Sequence, residues 1–334
     1  MSALFQTIRG QDPALALLQR ALARDRVAHA YAFVGPAGVG RRLTALAFAQ
    51  ACLCRQQGCG ACSACRRVAA GHHPDCQVVV PAPPKENPKG TPSIRIEQVR
   101  ELTHWVALAP LEGPRKVFIV DDADRITLQA AQALLKTLEE PPPRTLLILI
   151  VANVRALPPT VLSRCQLVRF RPLGEPDALA LLGERGSDPA TARLLARLCR
   201  GQVGLALETD LAEVQGRRAA ALELLAIPRP RLAGRLDEAR LDRDRGLVAA
   251  YLETYWLWYR DALCLAAGGD PALLVNEDRL EDLHALAARL PLAALVEALR
   301  VIKEARLALD ANVNPRLALE HALLALEPAG AVAA

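Results

Sequence analysis

The chain has 334 residues, enough for two or three hydrophobic cores and too many for one. Apolar residues make up 52% and aromatics only 4%, so the cores must rest on Ala, Leu and Val, a mixture that favours helices and excludes a largely disordered protein. A net charge of +5 is too small to assign nucleic-acid binding from global electrostatics, and the excess of Arg over Lys reads as compositional bias.

The opening residues MSALFQTIRG carry no long apolar run, and no later stretch reaches the about eighteen uncharged residues that a membrane span needs. A cytoplasmic protein without membrane contact is therefore expected. Nine cysteines without a leader peptide, four of them crowded together, point to metal binding and not to disulfides.

Five short aliphatic runs alternate with helical patterns: Tyr31–Val34, Gln77–Val80, Lys116–Val120, Leu146–Val151 and Leu167–Phe170. Strands separated by helices predict a parallel sheet. The first run leads into Gly35-Pro36-Ala37-Gly38-Val39-Gly40-Arg41-Arg42 and then a helical stretch, the strand, loop and helix context of a Walker A phosphate loop. The glycines fit. In a working loop, however, a Lys reaches the outer phosphates and a following hydroxyl holds magnesium, whereas Arg41 and Arg42 stand at those two places. Thr44 lies two positions too late to supply the hydroxyl.

After the loop helix come Cys54, Cys59, Cys62 and Cys65, spaced C-x4-C-x2-C-x2-C with Gly58 and Gly60 between them. That spacing lets four thiolates converge on a structural zinc ion with no open position for catalysis. The following GHHPD, which contains His72, His73 and Asp75, reads as a turn, and Pro81 to Pro92 reads as an exposed loop.

The strand KVFIV delivers Asp121 and Asp122 to its carboxyl end, the place of a magnesium-organising acid, with Asp122 where an active ATPase carries Glu. Its shorter side chain would leave a water-activating carboxylate out of position. Asp124 reads equally well as a helix cap. Asn153 follows the fourth run, and Ser163-Arg164-Cys165 precedes the fifth. Beyond Pro172 only helical patterns remain, first to about Leu207 and then to about Leu326. Leu292, Leu295, Val296, Leu299 and Ile302 form one apolar stripe there. Tyr255, Trp256, Trp258 and Tyr259 read as bundle packing in preference to base stacking. The tail PAGAVAA has too little to bury and is expected to fray.

Together, HAYAFVG, IRIEQVREL, DDADRIT, ALLKTLEEPP and Ser163-Arg164-Cys165 resemble the clamp-loader branch of the AAA+ ATPases over most of the first domain, and ANVNPRLALEHALLAL resembles that family's collar helix. The resemblance implies an α/β fold: an AAA+ P-loop domain over residues 1–172 with a zinc module at about 52–66, a small helical lid over 173–208, and an all-helical collar over 209–334. It implies that Arg164, flanked by Ser163 and Cys165, is an arginine finger acting in trans on ATP of an adjacent subunit. Gly35, Gly38, Gly40, Arg41, Arg42, Asp121, Asp122 and Asn153 would form a degenerate nucleotide site, and Gly201-Gln202-Val203-Gly204-Leu205-Ala206-Leu207 lacks the lid arginine of the catalytic members. The family's zinc module usually has a longer first gap, which leaves Cys52 as an alternative to Cys54. Implied partners are gamma/tau-type ATPase subunits and a delta subunit in a hetero-oligomer, a pentamer, with a sliding clamp and primed DNA. Such a chain has no ATP turnover of its own although it is part of a DNA polymerase holoenzyme. A catalytic ATPase subunit of the same loader and a stand-alone zinc protein that binds DNA are the competing readings.

Overall fold

A computed structural model describes residues 3–84, 86–87, 90–187, 189–208, 211–238, 241, 244–311 and 313–326. The chain divides into two compact units, Met1–Glu208 and Thr209–Ala334. The expected fraying of PAGAVAA falls outside the described residues.

In the first unit, strands β1 (Ala30–Val34), β2 (Cys76–Val79), β3 (Lys116–Val120), β4 (Thr145–Val151) and β5 (Gln166–Arg169) form one parallel sheet in the order β2-β3-β4-β1-β5. Each lies within a residue of its aliphatic run. The sheet is covered on both faces, so its residues alternate between two cores and not between core and water. Tyr31, Phe33, Val117, Ile119, Ile148 and Ile150 face one core, while Ala30, Ala32, Phe118, Val120, Leu147 and Leu149 face the other. Fully buried strands of this kind read as continuous apolar runs.

Helices α1 (Asp12–Ala23) and α2 (Arg41–Leu53) supply the first core, with α3 (Ser63–Ala69) beside α2. Helices α4 (Ile96–Ala107) and α5 (Leu128–Glu139) supply the second, and α6 (Pro159–Leu162) follows β4. Helix α5 begins where the Thr127 side chain accepts from the Ala130 amide, which satisfies one of the unpaired amides of a helix start. The unit closes with α7 (Glu175–Glu184), α8 (Pro189–Leu198) and α9 (Val203–Glu208), which pack on one another.

The second unit is helical throughout its described residues: α10 (Leu211–Ala226), α11 (Arg229–Glu238), α12 (Arg245–Ala266), α13 (Leu280–Arg289), α14 (Leu292–Asp310) and α15 (Pro315–Ala325). Tyr255, Trp258 and Tyr259 of α12 are fully buried, and Tyr255 donates its hydroxyl hydrogen to the Ala221 carbonyl. This is packing, as the sequence suggested. The stripe of α14 differs from expectation. It runs through Leu295, Ala298, Val301, Ile302, Ala305 and Leu309, and it leaves Leu292 and Val296 exposed. Two of the six are alanines, whose small side chains let α12 approach closely, and hydrophobicity alone does not single them out.

Candidate functional site

The loop between β1 and α2 turns through left-handed backbone at Gly38 (φ 72°) and Gly40 (φ 92°), where a side chain would be strained. Gly35 is required for a different reason: a Cβ there would lie 2.5 Å from the Phe170 carbonyl oxygen. The loop is also held from its far side. Buried Gln11 donates to the Val39 and Arg171 carbonyls at 3.2 and 2.7 Å and accepts from the Arg171 amide at 3.1 Å, which ties α1, the loop and the end of β5 together. No motif marks Gln11 in the sequence.

Arg41 and Arg42 open α2 and have opposite surroundings. Arg42 reaches across to β3, with Nη1 3.0 Å from Asp121 Oδ2. Arg41 is 7% exposed, and its Nη1 has no hydrogen-bond partner among the described residues. Burial draws the Arg41 pKa down, against the pull of Asp124, Asp122 and Asp121. The Thr44 hydroxyl is buried and donates to the Gly40 carbonyl at 2.8 Å, so it does not replace the missing magnesium ligand. Both arginines, with Asp121 and Asp122, line a cavity of about 470 Å³ whose apolar walls include Ile8, Leu173, Leu181 and Val203.

Helix α9 rests directly on the loop. The Gly204 amide donates to the Gly38 carbonyl at 2.8 Å, and a Cβ on Gly204 would lie 2.9 Å from the Gly38 Cα. Asn153 is not among the cavity residues; its Oδ1 accepts from the Arg155 amide. Asp124 binds the Ala152 and Asn153 amides at 2.6 and 3.1 Å and so fastens the turn after β3 to the end of β4.

Arg164 follows α6 and is half-buried. Its Nη1 donates to the Thr160 carbonyl at 2.9 Å and to Ser163 Oγ at 3.3 Å, and its Nη2 lies 2.7 Å from Glu139 Oε1 at the end of α5. The guanidinium is thus oriented by local chemistry and not buried in a core. The neighbouring Cys165 is partly buried against the second core, which pushes its thiol up to about 12. It behaves as a packed apolar group.

The structure brings Cys54, Cys59, Cys62 and Cys65 together, with all four sulfurs within 4.8 Å of one another. Cys54 Sγ is 3.7 Å from Cys59 Sγ and 3.6 Å from Cys62 Sγ, close to the roughly 3.8 Å edge of a tetrahedron whose metal–sulfur bonds are about 2.3 Å. Amides of Gln56, Cys62 and Cys65 donate to the sulfurs of Cys54, Cys59 and Cys62. Burial raises the Cys54 pKa, but the amides of Cys59, Gly58 and Gln56 outweigh it and bring the thiol down to about 6. Cys65 is pushed up to about 12, by burial and by the sulfurs of Cys62 and Cys54. One negative sulfur is welcome here and further ones repel it, an imbalance that a bound cation removes. The group can hold a metal ion. Cys52, in contrast, sits in the first core, where burial pushes it up to about 12.

The remaining candidates are structural. Asp75 accepts the amides of Leu111, Glu112 and Gly113, and the Asp75 amide donates to His73 Nδ1, so GHHPD is a turn locked to the β3 approach. Among the described residues no helix is long and apolar enough to cross a membrane.

Comparison with known proteins gives matches over both units. The family described as DNA polymerase III, delta subunit, matches residues 10–174, and that described as DNA polymerase III, delta subunit, C terminal, matches residues 244–328. DNA polymerase III subunit delta' of Bacillus subtilis is 29% identical over 326 residues, which are 95% of this chain and 96% of that protein. Subunit delta' of Pseudomonas aeruginosa is 42% identical over 146 residues, 42% of this chain and 43% of its own. DNA polymerase III subunit tau of Escherichia coli is 30% identical over 260 residues, 75% of this chain and 38% of its own. The chain therefore spans nearly all of the Bacillus protein and less than half of the other two.

Proposed function

We propose that this chain, which belongs to the DNA polymerase III delta subunit family, serves as the delta-prime type of clamp-loader subunit. In this reading it turns over no ATP itself and presents Arg164 to ATP bound on a neighbouring gamma/tau-type subunit. With a delta subunit completing a pentamer, the assembly opens a sliding clamp and places it on primed DNA.

The observation that carries the reading is a contrast between two arginines. Arg42 stands at the magnesium-hydroxyl position and is paired to Asp121 within the chain, which removes two elements a hydrolytic site needs. Among the described residues Arg164 is held by a carbonyl, a hydroxyl and a partly exposed carboxylate, so a stronger anion can recruit it. A planar guanidinium stabilises charge developing on a transferring phosphoryl group better than an ammonium does. Ser163 supports its orientation, and Cys165 anchors the turn.

The four-cysteine group holds zinc as a structural ion, since an all-sulfur tetrahedral set suits zinc and leaves no position for substrate. Residues 173–208 serve as the lid and residues 209–334 as the collar. Exposed Leu292, Val296, Leu307, Leu317 and Leu324 give that collar apolar surface for neighbouring subunits.

Reconstitution with candidate gamma/tau-type and delta subunits tests the proposal. The chain alone hydrolyses no ATP, its addition raises DNA-stimulated turnover, and Arg164→Ala assembles normally but lowers that turnover. Vigorous hydrolysis by the isolated chain, or unchanged turnover with Arg164→Ala, defeats it.

A further inference from the structure

Helix α3 is only seven residues long, too short to hold its shape by its own hydrogen bonds. Its start belongs to the cysteine group: Cys62 caps the helix, its sulfur accepting from the Cys65 amide, and Cys65 lies in the first turn. Buried Gln50 of α2 donates to the Cys65 carbonyl at 2.9 Å and steadies the same turn from behind. Two of the four gathered sulfurs thus sit at the start of α3, so the direction of its far end is set where the sulfurs meet.

That far end grips the segment between α4 and β3. Arg67 of the last turn pairs with Glu112 through both terminal nitrogens, Nη1 donating to Oε1 at 3.1 Å and Nη2 to Oε2. A two-pronged pair fixes direction as well as distance. The turn leaving α3 adds a second hold, the buried Asp75 carboxylate on the amides of Leu111, Glu112 and Gly113. The two holds have different anchors. The Asp75 carbonyl accepts from the Val117 amide at 2.8 Å, which makes Asp75 part of the sheet, whereas Arg67 is carried by α3.

The segment held in this way carries an exposed apolar run. Ala107, Leu108, Ala109 and Leu111 are exposed around half-buried Pro110, and Trp105 is exposed just before them. Such a run is a liability unless it is kept from collapsing onto its surroundings. Its helical end is secured from β3, where the buried Lys116 ammonium donates to the Trp105 carbonyl at 2.7 Å. Its other end is secured in part through the cysteines.

We propose that the cysteine group is a remote hold on this exposed run: with a metal ion on the four sulfurs, α3 is fixed and in turn fixes residues 108–113 through Arg67 and Glu112. Loss of the metal leaves the Asp75 grip and removes the other, so the run loosens without the sheet opening. Because coupled equilibria are reciprocal, breaking the Arg67–Glu112 pair weakens the retention of metal. This hold goes beyond the loader role and does not depend on Arg164 acting on a neighbour.

Amide exchange of the full chain, loaded with one equivalent of zinc or stripped with a chelator, tests the coupling in one direction. The amides of Leu111, Glu112 and Gly113 exchange about threefold faster or more in the stripped chain, while those of β3 and of α4 up to Trp105 keep their rates. Transfer of zinc from the loaded chain to a chromogenic chelator tests it in the other. Glu112→Gln, at an exposed position outside the cysteine group, releases zinc about threefold to fivefold faster. Arg67→Met does the same, and the double variant is no faster than either, since both remove one contact. If stripping unfolds the first unit, so that β3 exchanges as well, transfer from the loaded chain decides alone. Equal exchange of residues 111–113 in the two states with β3 intact, or release from Glu112→Gln at the rate of the unaltered chain, overturns the proposal. Turnover of a reconstituted loader is not the readout, so failure here and failure of the Arg164 reading are told apart.

Discussion

Arg164 Nη2 lies 2.7 Å from Glu139 Oε1, so the guanidinium proposed for a neighbour's triphosphate is parked on this chain's own α5. Both side chains are partly exposed, and a pair of this kind contributes about 0.2–1 kcal/mol. A polyphosphate offers more charge, so the parking contact orients Arg164 without trapping it. Glu139→Gln is expected to leave thermal stability within about 1 kcal/mol and assembly intact. Turnover of the reconstituted loader should hold or rise, whereas Arg164→Lys should lower it, because an ammonium cannot reproduce the planar fork.

The contact between Gly38 and Gly204 permits a sharper test. Gly38 has φ of 72°, and a Cβ there would lie 2.8 Å from the Leu205 amide nitrogen, so Gly38→Ala is opposed by both conformation and space. The conformational part alone is worth about 1–2 kcal/mol. Amide exchange in α9 should accelerate in both Gly38→Ala and Gly204→Ala. Unchanged protection of α9 would mean that the two segments do not bear on each other.

Metal content and acid sensitivity should follow the cysteines. One zinc per chain is expected by elemental analysis, with loss after Cys59→Ser or Cys62→Ser and no loss after Cys52→Ser. The Cys54 thiol, at about 6, lies below its unfolded value of 9.0. Without metal, its ionisation contributes stability that is complete above about 9 and is lost as pH falls through about 6. Protons compete for the same sulfur that the metal needs, so metal release on acidification should set in below about pH 6, read with a chromogenic chelator.

In the helical unit, Trp258 is buried and its Nε1 has no partner among the described residues. Trp258→Phe removes that unmatched donor together with some volume, so its cost should stay below about 2 kcal/mol, while Trp258→Ala should cost about 3–5 kcal/mol. Denaturant unfolding separates the two. Equal losses would mean that the indole nitrogen is satisfied in solution.

Much of the chain was legible from residue order alone. The five strands were readable because a sheet covered on both faces needs unbroken apolar runs, and Val117–Val120 within β3 is such a run. The phosphate loop was readable because positive φ at Gly38 and Gly40 admits little but glycine. The cysteine group was readable because its ligands are near neighbours in the chain, so a few turns suffice to gather them.

What only the tertiary structure decided are the pairings between residues far apart in sequence. Arg42 with Asp121, Arg164 with Glu139, Gln11 with Val39 and Arg171, and Gly204 with Gly38 each join segments that no local pattern connects. Charge and hydrogen-bonding capacity are written in the sequence, but their partners are chosen by the close packing of sheet and helices. For that reason the two adjacent arginines of α2, alike in sequence, part ways: Arg42 lies at the surface and pairs with Asp121, while Arg41 is buried near Asp121, Asp122 and Asp124.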